Sequence, residues 1–380
     1  MQAPVLFCSN SFWSIHNFRG GPIRALLADG HPVHVVAPDD DYSPLLRAMG
    51  CTVHIMPMAS KGRNPLQDIA LLMRLYRLYR RVRPAVCFHY TIKPNIYGAM
   101  AAHWAGIPSV SITTGMGTVF INPSFITHVV RRLYRYAFRH TLENWLLNAA
   151  DFDAMVSGGL VDARKARLLP GEGVNLDHFA RAPWPKDDGT FRFLLIARLL
   201  RDKGVLEFVE AARTLKASMP HVRFQLLGPA NVENPTAISR AQVTAWEREG
   251  LVEYLGVTQE VRPFIAQAHC VVLPSYREGL SRTLIEASAM ARPVITSDVH
   301  GCREVVSEGV TGWVVPAQNA TALGERMKQV AGMPANDLAA IGGAGRAKVA
   351  QNFDERLVIA EYFRILGEVN RGAPLGSIHV

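Results

Sequence analysis

The sequence predicts an α/β chain folded as two doubly wound parallel-sheet domains, and three observations carry that prediction. Short, continuous apolar runs alternate with amphipathic helical stretches, the pattern of a parallel sheet covered on both faces. The rhythm occurs twice, once in the first 150 residues or so and again from residue 191. Between the two series lies a stretch rich in Pro, Gly and charge, from Pro170-Gly171-Glu172-Gly173 to Pro183-Trp184-Pro185-Lys186, which reads as a linker. A length of 380 residues also exceeds what one core comfortably serves. Both domains are therefore expected to be Rossmann-like.

In the first series, strand-like runs cover residues 4–9, 32–38, 51–58, 85–90 and 108–113. Helical patterns cover residues 23–29, 66–82 and 95–105. In the second series, strands are expected at residues 191–197, 222–227, 252–255, 270–274 and 293–296, with helices between and after them. The division expected is a first domain over 1–176, a second over 177–354, and a C-terminal helix over 355–371 that packs back on the first domain. Residues 372–380 read as a disordered tail.

Hydrophobic residues make up 49% and charged residues 19%, a composition that buries a core and excludes a disordered chain. The N-terminal residues enter an apolar strand at once, without a charged region or a long apolar core, so no signal peptide is expected. No run approaches the ~20 apolar residues of a spanning helix. Five scattered cysteines, Cys8, Cys51, Cys87, Cys270 and Cys302, fit reduced thiols in a cytoplasmic protein. A net charge of +9 calls for an anionic partner. Nucleic acid, a membrane surface and a phosphate-bearing substrate all satisfy that demand.

The segment that carries most chemistry follows the strand at 270–274. It reads Ser275-Tyr276-Arg277-Glu278-Gly279-Leu280-Ser281-Arg282, with Glu286 beyond. Ser281 is placed to cap the next helix, so Glu286 falls about one turn inside it. Ligands of open α/β sheets sit at the C-terminal strand edge. There the amides from Gly279 to Arg282, at a positive helix end, suit a diphosphate. The carboxylates of Glu278 and Glu286 can accept hydrogen bonds from the vicinal hydroxyls of a sugar or ribose. The alternative is a surface loop with two solvated glutamates. A second segment, Ala197-Arg198-Leu199-Leu200-Arg201-Asp202-Lys203-Gly204, also runs from a strand into a helix. Its Arg198 and Lys203 can neutralise two phosphates, or be two solvated cations on a turn.

These two segments resemble the retaining glycosyltransferase family 4, as do Gly228, the Tyr254-Leu255-Gly256 turn and Gly309-Val310-Thr311-Gly312. The matches cover most of the second domain. The resemblance implies the GT-B fold, two Rossmann-like domains facing a central cleft. It implies that Arg198 and Lys203 bind the diphosphate of a UDP-sugar donor and that Glu278 meets the donor sugar. It further implies that Glu286 holds the ribose and that Leu255 lies against the base, with Gly279, Leu280 and Ser281 completing the cradle. In the first domain, Ser14-Ile15-His16-Asn17, Tyr90-Thr91-Ile92-Lys93-Pro94 and Thr114-Gly115-Met116-Gly117-Thr118 resemble the bacterial glycan-assembly branch. That branch includes N-acetylgalactosaminyltransferases that extend a saccharide on undecaprenyl diphosphate. Where many members carry a His after the fifth strand, this chain reads Ile112-Thr113-Thr114-Gly115, so no catalytic base is assigned. The catalytic set expected is Arg198, Lys203, Glu278 and His16, with Lys93 a further candidate to meet acceptor or phosphate and no metal required.

Two stretches, residues 74–81 and 131–139, interleave Arg with Leu, Tyr and Phe. They suit either ordinary amphipathic helices or helices at an anionic inner-membrane surface. The enzyme would then sit in the cytoplasm, peripherally on that membrane. Nucleic acid is not an expected partner, because no recognised binding module is present. The rival readings are a basic peripheral-membrane or nucleic-acid binding protein without turnover, and a sugar-nucleotide epimerase. Asp151-Phe152-Asp153 is an Asp-x-Asp, but it is placed at the start of a strand-like run and discounted as a metal site. Asp39-Asp40-Asp41 reads as a loop and helix cap.

Overall fold

The computed structural model describes residues 2–58, 64–115 and 125–372, with backbone alone at 125 and 126. The chain divides into two compact units, Met1–Gly173 with Glu355–Val380, and Val174–Asp354. In the first unit β1 (Val5–Cys8), β2 (Val33–Ala37), β3 (Thr52–Ile55), β4 (Val86–Tyr90), β5 (Ser109–Thr113), β6 (Glu143–Leu146) and β7 (Ala166–Leu168) form one sheet. Its order is β3-β2-β1-β4-β5-β6-β7 and every pairing is parallel. Helices α1 (Phe12–Ala28), α2 (Ser43–Ala48), α3 (Pro65–Val82), α4 (Ala99–Ala105), α5 (Phe125–Arg139) and α6 (Ala149–Ser157) connect the strands. A π-helical turn, Pro94–Gly98, leads into α4.

The second unit repeats the scheme with β8 (Phe191–Ile196), β9 (Val222–Leu227), β10 (Glu253–Tyr254), β11 (Cys270–Leu273), β12 (Val294–Ser297) and β13 (Trp313–Val315). They lie in the order β10-β9-β8-β11-β12-β13, again parallel. Around them are α7 (Val205–Lys216), α8 (Arg240–Arg248), α9 (Arg262–Gln267), α10 (Arg282–Ala289), α11 (His300–Arg303), α12 (Ala320–Ala331) and α13 (Ala335–Asn352). The last helix, α14 (Glu355–Asn370), returns to the first unit. The central strands are buried along their whole length, as continuous apolar runs demand. Among the described residues no helix is long and apolar enough to cross a membrane. All five cysteines are buried and unbridged.

Four local expectations are corrected. The helix after β1 begins at Phe12, capped by Ser11, and not at residue 23. Gly20-Gly21-Pro22 reads as a breaker, yet it lies inside the helix, whose Ile15, Ile23 and Leu26 are buried against the sheet, and Gly21 admits the Glu355 carboxylate close to α1. Strand β6 was not foreseen. It opens on two polar residues, Glu143 and Asn144, and Glu143 is buried with Arg364 of α14 at 2.6 Å and the Trp145 Nε1–H at 2.7 Å. Asp151-Phe152-Asp153 lies in α6, not in a strand-like run. Its first Asp is in the capping turn, where Asn148 Oδ1 accepts from the Asp151 amide at 2.7 Å. Nor is the Pro/Gly-rich stretch a free linker from end to end. Residues 174–189 lie on the second unit, where the buried Arg292 donates to the carbonyls of Ala182 and Ala266 at 3.3 and 2.7 Å. Arg346 fixes the carbonyl of Phe179 at 3.0 Å. Residues 373–380, read as a tail, lie outside the described residues.

The return of α14 is held by aromatic packing. The Tyr362 ring lies 4.6 Å from Phe88, 5.1 Å from Trp145 and 5.7 Å from Phe7, and its hydroxyl pairs with that of Tyr90. Tyr362→Ala leaves a cavity and an unpaired buried phenol, so an expected loss of about 3–5 kcal/mol follows. Tyr362→Phe keeps the packing and loses about 1 kcal/mol. Urea unfolding of both variants, followed by tryptophan fluorescence, checks the ranking.

Candidate functional site

In the second unit the strand order reverses at β8, which lies between β9 and β11. A crevice therefore opens beyond the C-terminal ends of β8 and β11, where ligands of such sheets are held. Both chemistry-bearing segments start there, one after Ile196 and the other after Leu273.

Three glycines permit the chain to close on itself at this edge. Gly204 has φ +72°, and a Cβ there would overlap the carbonyl of Pro274. Gly228, φ +136°, leaves no room for a Cβ against the carbonyl of Ala197. Gly301, at the start of α11, abuts the carbonyls of Glu278 and Gly279. Hydrogen bonds complete the joints. The Tyr276 amide donates to the Asp202 carbonyl at 2.9 Å, and the Ser281 amide to that of Gly301 at 3.1 Å. Thr283 Oγ1 donates to the Ile196 carbonyl at 3.3 Å. Ser297 Oγ donates to the Ser275 carbonyl.

On this frame the structure brings Lys203 and Glu278 together, 2.6 Å apart. Ser275 Oγ donates to the same carboxylate oxygen at 2.7 Å. Ser281 caps α10 through the Leu284 amide at 3.5 Å, as expected from the sequence. The amides of Gly279 and Leu280 have no hydrogen-bond partner among the described residues. Glu286, one turn into α10, is paired with Arg282 at 2.6 Å. Burial raises its pKa above the ordinary carboxylate value against the lowering effect of that arginine. Arg198 is exposed just beyond β8, with no ion-pair partner among the described residues. Leu255 follows β10 in a turn latched to the end of β9: the Gly228 amide donates to the Gly256 carbonyl at 2.8 Å, and Tyr254 Oη to that of Gly228 at 3.0 Å. Two free amides at a helix start, two cations and two carboxylates thus share one strand edge. Such a group can hold a diphosphate and accept hydrogen bonds from hydroxyls.

His16 and Lys93 lie in the first unit. His16 is in the second turn of α1, 5.3 Å from the Tyr42 ring. Burial lowers its pKa, and its Nδ1 is buried without a hydrogen-bond partner. Lys93 follows β4 and pairs with Asp68 of α3 at 2.6 Å, while Tyr97 Oη donates to the other oxygen of Asp68 at 2.9 Å. Between them, Thr91 takes φ +69°, a left-handed conformation that holds a β-branched residue at a cost of about 1–3 kcal/mol. The Thr91 hydroxyl and Asn95 Oδ1 are buried there without partners. Of Thr114-Gly115-Met116-Gly117-Thr118, the last three residues lie outside the described residues.

Sequence reasoning did not assign Ser275, Gly301, Thr91 or Asp68 any role. A glycine one residue into the helix after β12 was the signal available for Gly301. Ser275 acts within its own loop, Thr91 is marked by its backbone conformation, and Asp68 depends on Lys93 and Tyr97 in another segment.

Gly301→Val would push the Glu278-Gly279 loop off the edge. Tryptic cleavage after the exposed Arg277 is expected to rise on the order of tenfold, because local opening becomes easier. Cleavage at the wild-type rate would show that the loop does not depend on this contact.

The chain also matches known proteins. Residues 190–332 match the family model described as glycosyl transferases group 1, and residues 4–143 the model described as glycosyl transferase 4-like. It is 27% identical to the Campylobacter jejuni N,N'-diacetylbacillosaminyl-diphospho-undecaprenol alpha-1,3-N-acetylgalactosaminyltransferase, over 96% of this chain and 98% of that enzyme. It is 24% identical to the Escherichia coli UDP-Gal:alpha-D-GlcNAc-diphosphoundecaprenol alpha-1,3-galactosyltransferase, over 68% of this chain and 70% of that one. Among solved structures, Anabaena HepE in complex with UDP superposes with a TM-score of 0.78 at 18% identity, covering 96% of this chain and all of that one.

Proposed function

We propose, for a chain that is a glycosyltransferase of the GT-B fold, that it is a retaining enzyme taking its sugar from a UDP-sugar and placing it on a saccharide carried by undecaprenyl diphosphate. The sugar proposed is an N-acetylhexosamine, with N-acetylgalactosamine the first to try, as in the name of the Campylobacter relative. The observation that carries the reading is the strand edge of the second unit, where Arg198, Lys203 and the free amides of Gly279 and Leu280 accompany Glu278 and Glu286. The relatives named for undecaprenyl-linked substrates, and the UDP complex of a structural neighbour, support it.

On this reading Arg198 and Lys203 counter the diphosphate charge that grows as the bond to the sugar breaks, in the manner of electrostatic stabilisation. Glu286 accepts from the ribose hydroxyls, Glu278 from the sugar hydroxyls, and Leu255 packs on the base. The bond between the anomeric carbon and the phosphate oxygen breaks, and the acceptor oxygen bonds to the same face. Its proton passes to the departing phosphate, so no protein nucleophile is needed and positioning does most of the work. His16 is the first-unit residue proposed to meet the acceptor. No metal is assigned a part. An acceptor held on a lipid places the enzyme at the cytoplasmic face of a membrane, with no nucleic-acid partner.

Calorimetric titration with UDP, GDP and a panel of UDP-sugars tests the donor class. Selective UDP binding is expected, weakened about 10- to 100-fold in Glu286→Ala by loss of hydrogen bonds to a charged group. Arg198→Ala is expected to lower transfer more than binding. A well-folded protein that binds no nucleotide would end the reading. The pH dependence has a definite sign. Only the ionised Glu286 accepts from both ribose hydroxyls, and burial raises its pKa. UDP affinity should therefore strengthen as pH rises through that raised pKa and then level off, and Glu286→Gln should flatten the profile.

A further inference from the structure

Helices α3, α4 and α5 form one layer on a single face of the first unit's sheet. Leu71, Leu75 and Tyr79 of α3 and Ala101 of α4 pack on Leu6 and Cys87, while α1 and α14 pack on the alternate residues Phe7 and Phe88. Phe138 of α5 packs on Leu146, whose neighbour Trp145 faces the opposite cluster. The inner side of the layer is thus ordinary core. Its outer side is not an ordinary surface.

On α3 the outer stripe starts with Leu66, 76% exposed, Ile69, 57% exposed, and Met73, and continues into Arg77 and Arg80. On α4 it presents Trp104, 46% exposed, and on α5 Val129, Arg132, Tyr136 and Arg139. The Trp104 indole N–H reaches Tyr136 Oη at 3.4 Å, which sets the two amphipathic rings side by side. One carboxylate, Asp68, occurs in the three helices, and Lys93 and Tyr97 engage it. An outer face with exposed aliphatic and aromatic groups and cations without countercharge does not suit water alone. It suits an interface that is apolar within and anionic at its rim. The pairing of Asp68 with Lys93, directly after β4, also places the first turn of α3 and its exposed Leu66 and Ile69 beside the C-terminal strand edge.

We infer that the outer face of α3, α4 and α5 docks on an anionic lipid bilayer, with Leu66, Ile69, Trp104 and Tyr136 entering the headgroup boundary and the arginines meeting lipid phosphates. The inference rests on the proposed lipid-linked acceptor and adds the surface by which the enzyme reaches it. The apolar end of α3 lies at the strand edge of the unit proposed to receive the acceptor, so docking brings that edge to the depth of the lipid headgroups.

Sedimentation of the full chain with vesicles of phosphatidylcholine alone, and with vesicles containing phosphatidylglycerol, tests the inference. Binding is expected to grow with the anionic fraction and to fall with salt. Replacing Arg74, Arg77, Arg132 and Arg139 by Gln together should weaken it on the order of 100-fold or more, because each exposed cation contributes additively. Trp104→Ser should weaken it several-fold, including the part that survives high salt. UDP binding should remain in both variants, which reports that they are folded. Equal binding of the four-Arg variant and the wild type, no dependence on anionic lipid, or binding to RNA without binding to vesicles would each overturn the inference. A short-chain, detergent-free polyprenyl-diphosphate acceptor separates the two proposals. Transfer to it without vesicle binding leaves the enzyme reading standing and removes the docking face. Vesicle binding without any transfer does the reverse.

Discussion

The second unit depends on backbone meeting backbone without a side chain between. Gly204 against Pro274, Gly228 against Ala197 and Gly301 against Gly279 close the C-terminal ends of β8, β9 and β11 into one surface. Two of the three also take positive φ, so a residue with a Cβ would be both clashing and strained there. Two charged groups of the candidate site adjoin these joints. Lys203 precedes Gly204 directly, and Glu278 and Gly279 rest on Gly301. A shift of one joint by the width of a methyl group would separate a cation from the carboxylate it faces. Parallel sheets place their loops at a common edge. Glycines decide how close the loops come.

The fold was largely legible because parallel strands buried on both faces leave continuous apolar runs, as β1 and β11 do, while β8 and β9 stay mainly apolar around Arg192, Arg223 and Gln225. Strand β6 has no apolar run to show, because half of its four residues, Glu143 and Asn144, are polar. The charge of Glu143 is balanced by Arg364, more than two hundred residues further along, which no local pattern can reveal. The start of α1 was hidden for a similar reason. Gly20, Gly21 and Pro22 oppose a helix locally, and burial of Phe12, Ile15, Ile23 and Leu26 in the core overrides them. Site residues followed the same division. Glu278, Gly279, Ser281 and Glu286 sit in one local strand–loop–helix frame and could be placed from sequence. Gly301 and Asp68 gain their roles from partners elsewhere in the chain, and composition carries no trace of those contacts.

The two strand edges differ in what they leave unpaired. In the second unit both carboxylates are paired, Glu278 with Lys203 and Ser275, Glu286 with Arg282, each ion pair at 2.6 Å and partly shielded from water, while Arg198 and the amides of Gly279 and Leu280 stay open among the described residues. In the first unit Thr91 is strained and its hydroxyl unpaired, Asn95 Oδ1 is buried without a donor, and His16 Nδ1 likewise. Buried polar atoms without partners are rare, and strain persists only where surrounding packing enforces it. Here the π-helical turn and the hydrogen bond from Asn95 Nδ2 to the Ile112 carbonyl, 3.0 Å, supply that enforcement.

The contrast follows from what a glycosyltransferase must do on the proposed reading. A nucleotide diphosphate brings fixed charge, so the residues that meet it can be oriented beforehand by one another. On that reading Lys203 would exchange Glu278 for the diphosphate as donor binds, leaving Glu278 to accept from sugar hydroxyls. The cations lower the barrier to the extent that they hold the leaving phosphate more strongly as negative charge accumulates on it. An acceptor hydroxyl has no charge to recognise. Selecting it calls for uncharged donors and acceptors held rigidly in a dry place.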